Sequence, residues 1–405
     1  MAASSYPGIF LLSLPRAGST LLRLILDTHP QICCPDEIHL GRLVATLYPA
    51  FSGLREKADT ENAPLSPGDP VLADVRRVVG DVMAGYTERK GKTYWCEKTP
   101  GNVDHMSLLA AALPEARFLM LHRHSLDFVQ SCIRSLTYGQ TMPMLEPHFR
   151  RHHPYYVPAL IDAWEEKSAE MIRFEREMGP RAHRLRYEDL VKKPEPTLAA
   201  LFRFLALDFD PALIDKVFTT EHHQRPTAGD HRAYVSTRIS DDSIGLGSTL
   251  PWTAVSTTPL ALREKMNTRL EQLGYPRTAF RADGFETGLE KKKPAASEIS
   301  PRALFEQILP PRLPALGEVP ADLARPLRFV VGGPNSGAWT LDLSRRPAEI
   351  TAGGTEGIEI RIASADLEAF VGGRMPFATL FGRIRFGAEV APESFQGFLK
   401  ALLAT

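Results

Sequence analysis

Ile9-Phe10-Leu11-Leu12-Ser13-Leu14-Pro15-Arg16-Ala17-Gly18-Ser19-Thr20-Leu21-Leu22 is the stretch on which the reading of this 405-residue chain turns. Its first six residues form a nearly unbroken apolar run, the pattern of a strand buried on both faces. Pro15 to Thr20 interrupt the run, and Leu21, Leu22, Ile25 and Leu26 then recur at helical spacing. This helix should stop near His29-Pro30, because a proline disfavours helical geometry in the residue before it. Backbone N–H groups at such a helix start point outward, and the helix dipole favours an anion there. Gly18 permits close backbone approach, Ser19 and Thr20 offer hydroxyl donors, and Arg16 adds a bidentate, permanently charged fork. The stretch is not a GxxxxGK[ST] loop, since Ser19 stands where that pattern needs lysine. It can also be an ordinary strand-to-helix turn in which Gly18 and Ser19 merely cap a helix.

Outward from this stretch the pattern recurs. Arg117 to Arg123 (RFLMLHR) reads as a buried strand, with a helix over Ser125 to Ser135. Ala182 to Tyr187 reads as another short strand, followed by an amphipathic helix from Pro196 through Leu205. Helical patterns also cover 72–88 and 159–178. Strands alternating with helices predict an α/β domain with a P-loop-type, doubly wound parallel sheet over residues 1–285. Composition changes near residue 282, and 286–300, with Lys291-Lys292-Lys293-Pro294, reads as a solvated linker. Residues 301–405 then read as a smaller α+β domain with a short helix over Ala303 to Leu309. In it Trp339, Leu341 and Leu343 alternate with polar residues, as do Ile358, Ile360 and Ile362. Phe381 to Phe386 reads as one more strand, and Ser394 to Leu403 as a closing helix.

Composition narrows the function classes. Lys+Arg and Asp+Glu are 48 each, so the formal net charge is zero, which argues against a general nucleic-acid binder while leaving room for a local basic pocket. Hydrophobic residues at 43% and charged residues at 24% exclude a wholly disordered, collagen-like or coiled-coil chain. The four cysteines, Cys33, Cys34, Cys96 and Cys132, form no CxxC pair and point to a reducing compartment. No signal peptide or transmembrane run is legible, so a cytoplasmic location is expected.

A second site element is Arg123 with Ser131 eight residues on. In open α/β sheets, ligands bind at the carboxyl ends of strands, so both residues can reach another anionic group of the same ligand. Taken together, these segments resemble the family of PAPS-dependent sulfotransferases (PAPS is 3′-phosphoadenosine 5′-phosphosulfate). The resemblance implies that Arg16, Ala17, Gly18, Ser19 and Thr20 hold the 5′-phosphosulfate and that Arg123 and Ser131 hold the 3′-phosphate. Arg186-Tyr187-Glu188-Asp189-Leu190 is similar to the family's RYEDL segment, which puts Tyr187 against the adenine. The resemblance spans about residues 7–276. In sulfuryl transfer the protein neutralises the leaving oxygen, positions the acceptor and removes its proton, so the residues themselves require no metal.

The resemblance also bears on the catalytic groups. The histidine of the KTHxP-like segment in small-molecule sulfotransferases is replaced here by Pro100, in Glu97-Lys98-Thr99-Pro100. Lys98 remains to approach the sulfuryl group. Cys34-Pro35-Asp36-Glu37 resembles a Cys-x-x-Glu segment of tyrosylprotein sulfotransferases, and Asp36-Glu37-Ile38-His39-Leu40 resembles a segment of polyketide-synthase sulfotransferase domains. Glu37 is thus the candidate base, with His39 as helper or alternative base, and Lys98 and Arg16 as catalytic cations. The competing reading of Glu37 is a solvated loop carboxylate. The late loop Ser243 to Thr249 lacks the basic residue common in the family, leaving backbone amides and Ser248 as substitutes. The acceptor expected is an apolar, hydroxylated small molecule, lipid-like or tethered to a carrier protein.

Residues from about 300 to 405 resemble the sterol-carrier-protein-like fold, on Phe305 to Leu309, the strands 327–345 and 348–362, Ala365 to Met375 and Phe381 to Glu389. That resemblance implies a lipid tunnel; a solid docking or dimerisation core fits the same pattern. His148, His152 and His153 offer imidazoles, but no acidic partner is fixed by sequence, so no metal site is expected. His122 and His124 flank Arg123 and are expected to border its pocket. Two other functions stay open at this point: a P-loop nucleotide kinase or hydrolase, which the missing lysine disfavours, and a non-catalytic lipid-binding scaffold.

Overall fold

The computed structural model describes residues 8–54, 68–137, 142–220, 238–289, 300–315, 319, 322–333, 336–345, 347–371, 377–387, 390–391, 394–395 and 398–399. The Lys291-Lys292-Lys293 run and most of the expected closing helix lie outside the described residues. The chain divides into two compact units. One comprises 1–133, 141–217 and 239–291; the other comprises 134–140, 218–238 and 292–405.

In the first unit the opening apolar run forms β1 (Gly8–Ser13), with all six residues buried. It lies at the centre of a five-stranded sheet with β2 (Ile32–Cys33), β3 (Tyr94–Glu97), β4 (Arg117–His122) and β5 (Ala182–Arg186), in the order β2-β3-β1-β4-β5. Every pair is parallel, with Ile9 opposite Cys96 on one side and Arg117 on the other. Because side chains alternate, Phe10 and Leu12 share one face with Phe118 and Met120. That face carries Phe10 stacked on Phe118 with centroids 5.6 Å apart, and Phe174 edge-on to Phe118 at 5.0 Å. The two short strands β2 and β3 were not legible in the sequence; two and four residues carry too little periodicity to stand out from loop.

The helices follow from the same logic. α1 (Ser19–Thr28) buries Leu22, Leu24, Ile25 and Leu26 and ends at His29, which turns extended before Pro30. α2 (Leu40–Ser52) leaves the loop after β2. α3 (Pro70–Arg89) starts on Asp69, whose carboxylate accepts from the Val71 amide at 2.8 Å. α4 (Met106–Ala112), α5 (Ser125–Thr137), α6 (Glu146–His152), α7 (Tyr156–Met178), α8 (Tyr187–Lys192) and α9 (Pro194–Leu205) complete the crossovers around the sheet. The hairpin of β6 (Ala279–Phe280) and β7 (Phe285–Glu286) lies near the end of the first unit. Among the described residues no helix is long and apolar enough to cross a membrane.

The second unit is α+β. Its sheet has the order β10-β9-β8-β11-β12, from β8 (Pro326–Gly332), β9 (Gly337–Asp342), β10 (Glu349–Ala352), β11 (Ile358–Ala363) and β12 (Arg385–Phe386). Only β8 and β11 pair in parallel. Trp339, Leu341, Ile358, Ile360 and Ile362 all turn into the core, as their alternation predicts. Two expected elements differ. The strand expected over Phe381–Phe386 shrinks to Arg385–Phe386, because Phe377–Phe381 is helical and Ile384 donates back to the Leu380 carbonyl at 3.0 Å. The Ala303–Leu309 helix starts on Pro301 and widens to π geometry over Leu304–Ile308, with Leu309 donating to the Leu304 carbonyl at 3.0 Å.

Candidate active site

Since β1, β3, β4 and β5 run parallel, the loops that leave their carboxyl ends share one edge of the sheet. Arg16 follows β1, Lys98 follows β3, Arg123 follows β4 and Tyr187 follows β5. The chain leaves β1 towards β2 and β3, then crosses to β4 on the other flank, so β1 marks the switch in strand order.

Two groups of residues form there. In the first, Gly18 adopts φ 93° and serves as the N-cap of α1, without a side-chain cap on the first-turn amides. The Tyr187 ring lies against it so closely that a Cβ at Gly18 would meet Tyr187 Cδ2 at 2.2 Å. The Arg123 guanidinium stacks over the same ring, 4.6 Å from its centroid. Arg123 Nη1 donates to the Arg16 carbonyl at 2.8 Å and Nη2 to the Ser243 carbonyl at 2.9 Å. Arg123 Nε is buried with no hydrogen-bond partner among the described residues. Arg16 Nε lies 3.4 Å from Ser131 Oγ, and the Tyr187 hydroxyl bonds Ser243 Oγ at 2.7 Å. Arg16, Gly18, Arg123, Ser131 and Tyr187, expected from sequence, are thus brought together, and Ser243 joins them. Ala17, Ser19 and Thr20 are buried in the same turn.

In the second group, Lys98 Nζ is paired with Glu37 Oε1; the lysine is 1% exposed and the glutamate 23%. The pair is held from behind by Glu97, which sequence reasoning passed over. Thr99 Oγ1 donates to Glu97 Oε1 at 2.5 Å, and Asn102 Nδ2 donates to Glu97 Oε2. Thr99 Oγ1 in turn accepts from the His39 amide at 3.1 Å, and Asn102 Oδ1 from the Gly41 amide at 2.9 Å. One buried carboxylate therefore stitches the loop carrying Glu37 to the loop carrying Lys98. Burial pushes the Glu97 carboxyl up from its ordinary value, against these hydrogen bonds and the charge of Lys98. His39 is exposed and takes φ 54° at the start of α2, so it is its backbone N–H that joins the network. Beside this pair, Arg23, 2% exposed, reaches Asp36 at 3.1 Å and the Cys34 carbonyl at 3.3 Å, which shapes the run into Glu37.

The late loop departs from expectation. Its amides do not face an anion site: Gly245 and Gly247 donate to the Asp127 carboxylate at 2.7 and 2.6 Å, and Ser248 Oγ donates to the Gly245 carbonyl at 2.7 Å. A buried carboxylate on α5 has taken the donors that a basic residue would have supplemented. His122 and His124 flank Arg123 inside the core. Both are buried, and burial, reinforced by Arg184 for His122, pushes their pKa values down to about 3. They stay neutral as core residues, with His124 edge-on to Tyr275 at 5.6 Å. The RYEDL segment gains a structural role through Glu188, which accepts from the His124 amide at 2.9 Å and the Tyr275 hydroxyl at 2.6 Å. It thereby fixes the turn that carries Arg123.

A helix start and two converging arginines thus meet at the carboxyl edge of an α/β sheet, an arrangement whose chemistry suits an anion. Residues 7–211 match the sequence model of the sulfotransferase family, and the chain belongs to that family. Protein-tyrosine sulfotransferase 2 of Gallus gallus is 28% identical over 211 residues, covering 51% of this chain and 53% of that protein. Protein-tyrosine sulfotransferase 1 of Danio rerio is 26% identical over 210 residues, covering 51% and 55%. The chain spans about half the length of these curated relatives. Among solved structures, the sulfotransferase domain of a Synechococcus olefin synthase aligns with a TM-score of 0.46 at 23% identity, covering 66% of this chain and 94% of that one. The sulfotransferase domain from the curacin biosynthetic pathway aligns with a TM-score of 0.44 at 22% identity, covering 66% and 98%.

Proposed function

We propose that the chain transfers the sulfuryl group of PAPS to a hydroxyl of an apolar acceptor, releasing 3′,5′-ADP, with Glu37 as the base. The observation that carries this reading is the Lys98–Glu37 pair on the same sheet edge as the Arg16–Arg123–Ser131–Tyr187 cluster. The residues fit a donor with phosphate at both ends. Arg123 keeps a buried Nε with no hydrogen-bond partner among the described residues, and Gly18, the N-cap of α1, brings no side chain to the helix start. PAPS, when bound, supplies the sulfuryl group and the phosphate that leaves it. Arg16, Gly18, Ser19 and Thr20 hold its sulfonated end, Arg123 and Ser131 its 3′-phosphate, and Tyr187 its adenine side.

Lys98 meets the charge that develops on the leaving oxygen. Glu37 takes the acceptor's proton as the oxygen–sulfur bond forms. The ground-state ion pair keeps both groups in place until each meets its reaction partner. His39, exposed beside this pair, is the helper. The reaction needs no metal from the groups described.

The acceptor reading rests on the Asp36 to Leu40 likeness and on the second unit, whose sterol-carrier resemblance implies a lipid partner. An apolar cavity in that unit is lined by residues such as Phe305, Phe370 and Phe395. A second reading of the acceptor, a protein tyrosine, is favoured by the curated relatives. The four cysteines, all free and buried, fit a reducing, cytoplasmic setting.

Calorimetry with 3′,5′-ADP, ADP and ATP tests the donor: tight binding of 3′,5′-ADP alone is expected, and ATP turnover without PAPS would replace this reading with a kinase or hydrolase. An acceptor panel of apolar alcohols, hydroxyacyl chains on a carrier protein and a tyrosine peptide tests the rest. Turnover with small polar alcohols alone refutes the apolar acceptor.

A further inference from the structure

The histidine-rich segment Pro147–Pro154 takes no part in the site just described. On α6, His148 and His152 stand one turn apart, and on α7, packed against it, Asp162 and Glu166 do the same. The sequence pairs neither set with the other; the packing of the two helices does. Nδ1 of His148 lies 3.0 Å from Asp162 Oδ2, and Nε2 of His152 lies 3.2 Å from the same oxygen. Nε2 of His152 is shielded from water yet makes no hydrogen bond of acceptable geometry there. Ligand atoms of His148, Asp162 and Glu166 all fall within 4.8 Å of one another.

We propose that His148, Asp162 and Glu166 form a binding site for a divalent late first-row transition-metal ion such as Zn²⁺, with His152 beside them holding the Asp162 carboxylate. One imidazole nitrogen and two carboxylates supply three ligands of a zinc-type site with its fourth position left to water, and the imidazole selects against the all-oxygen preference of Mg²⁺ and Ca²⁺. Bonds of about 2.0 Å in a tetrahedron put ligand atoms about 3.3 Å apart. The 3.0 Å between His148 Nδ1 and Asp162 Oδ2 is already of that size. The base of the cage is closed, with His148 at 3% side-chain exposure and Asp162 at 17%, while Glu166 at 41% opens to solvent and gives an entry path.

Arg151 marks where a cation belongs. Its Nη1 sits 2.6 Å from Asp162 Oδ2 and 3.2 Å from Glu166 Oε2, and its side chain is 52% exposed. It balances the two carboxylates without metal. An ion pair so exposed is worth little, and the long side chain can swing into water when a metal enters. His148 then gives up its Nδ1 proton, or turns its lone pair inward, to serve as a ligand. A bound ion would staple α6 to α7, whose Trp164 donates to the Arg123 carbonyl at 2.9 Å.

The test is titration of the full chain with ZnCl₂ by calorimetry, with Co²⁺ as an absorption probe of coordination. One ion per chain and a tetrahedral-type cobalt spectrum are expected. His152→Ala and Glu166→Gln, both at partly exposed positions, should each weaken binding by about tenfold or more. Arg151→Ala should tighten it, which a merely structural ion-pair cluster does not predict. The affinity for 3′,5′-ADP should stay unchanged in the His152 and Glu166 variants. No zinc binding by either the parent chain or Arg151→Ala overturns the proposal. So does binding that His152→Ala and Glu166→Gln leave intact, since the ion then sits elsewhere.

Discussion

Glu97 shows how much of the site depends on a residue that reacts with nothing. Its carboxylate gathers Thr99 and Asn102, and these hold the amides of His39 and Gly41 on the opposite loop. Thr99→Ala cuts the link to His39 while leaving Lys98 and Glu37 in the chain. The expected outcome is a fall in kcat of about tenfold, with the affinity for 3′,5′-ADP unchanged by calorimetry. Glu37→Gln removes the proposed base, and turnover should drop by about 10²- to 10⁴-fold, again with nucleotide binding retained. If Glu37→Gln turns over like the parent chain, Glu37 is not the base. Glu97 was not legible beforehand because a buried glutamate and a surface glutamate are the same letter; only its zero exposure and its bonds to Thr99 and Asn102 separate them.

At the scale of elements, the pocket is framed by two turns that glycine makes possible. Gly18 holds a positive φ and leaves room for Tyr187, and at Gly247 a Cβ would meet the Leu126 carbonyl carbon at 2.5 Å. The first turn is readable from Pro15 to Thr20. The second gains its shape from Asp127, 118 residues away in sequence from Gly245. Since that loop presents the Ser243 carbonyl to Arg123 and Ser243 Oγ to Tyr187, its position matters to the nucleotide end. Asp127→Ala should release the loop and weaken 3′,5′-ADP by roughly tenfold, about 1.4 kcal/mol, while Asp127→Asn, which keeps one acceptor oxygen, should lose less. Equal and undiminished affinity in both variants would remove Ser243 and its loop from the pocket.

Over the whole molecule, the buried titratable groups set how folding responds to pH. His122 and His124 have pKa values near 3 in the folded chain, against about 6.5 when unfolded. Below that unfolded value only the unfolded chain takes up their protons. Their neutral burial therefore costs nothing above about pH 6.5, and stability is lost as pH falls from there towards 3. Glu97, Asp127 and Glu188 act in the opposite sense, because burial raises their pKa values and the folded chain binds their protons first as pH falls. Between pH 6.5 and 5 each of the two histidines should contribute a slope of up to about 1.4 kcal/mol per pH unit. Urea unfolding of His122→Leu across that range should show a slope flatter by about this amount, and an unchanged slope would mean His122 is not held neutral.

What the sequence by itself determined is local: the buried strand that the run from Ile9 announces, the glycine turn after it, the stop at His29-Pro30 and the alternation of Trp339, Leu341 and the isoleucines of β11. Each is a pattern of burial or backbone preference that repeats within a few residues. Tertiary structure alone decided which distant groups meet: Glu37 with Lys98 across 61 residues, Asp127 with Gly247 across 120, and His148 with Asp162 from the next helix. Charged and polar side chains carry no periodicity that announces a partner. Their pairing is settled only when parallel strands and packed helices bring their ends to one place.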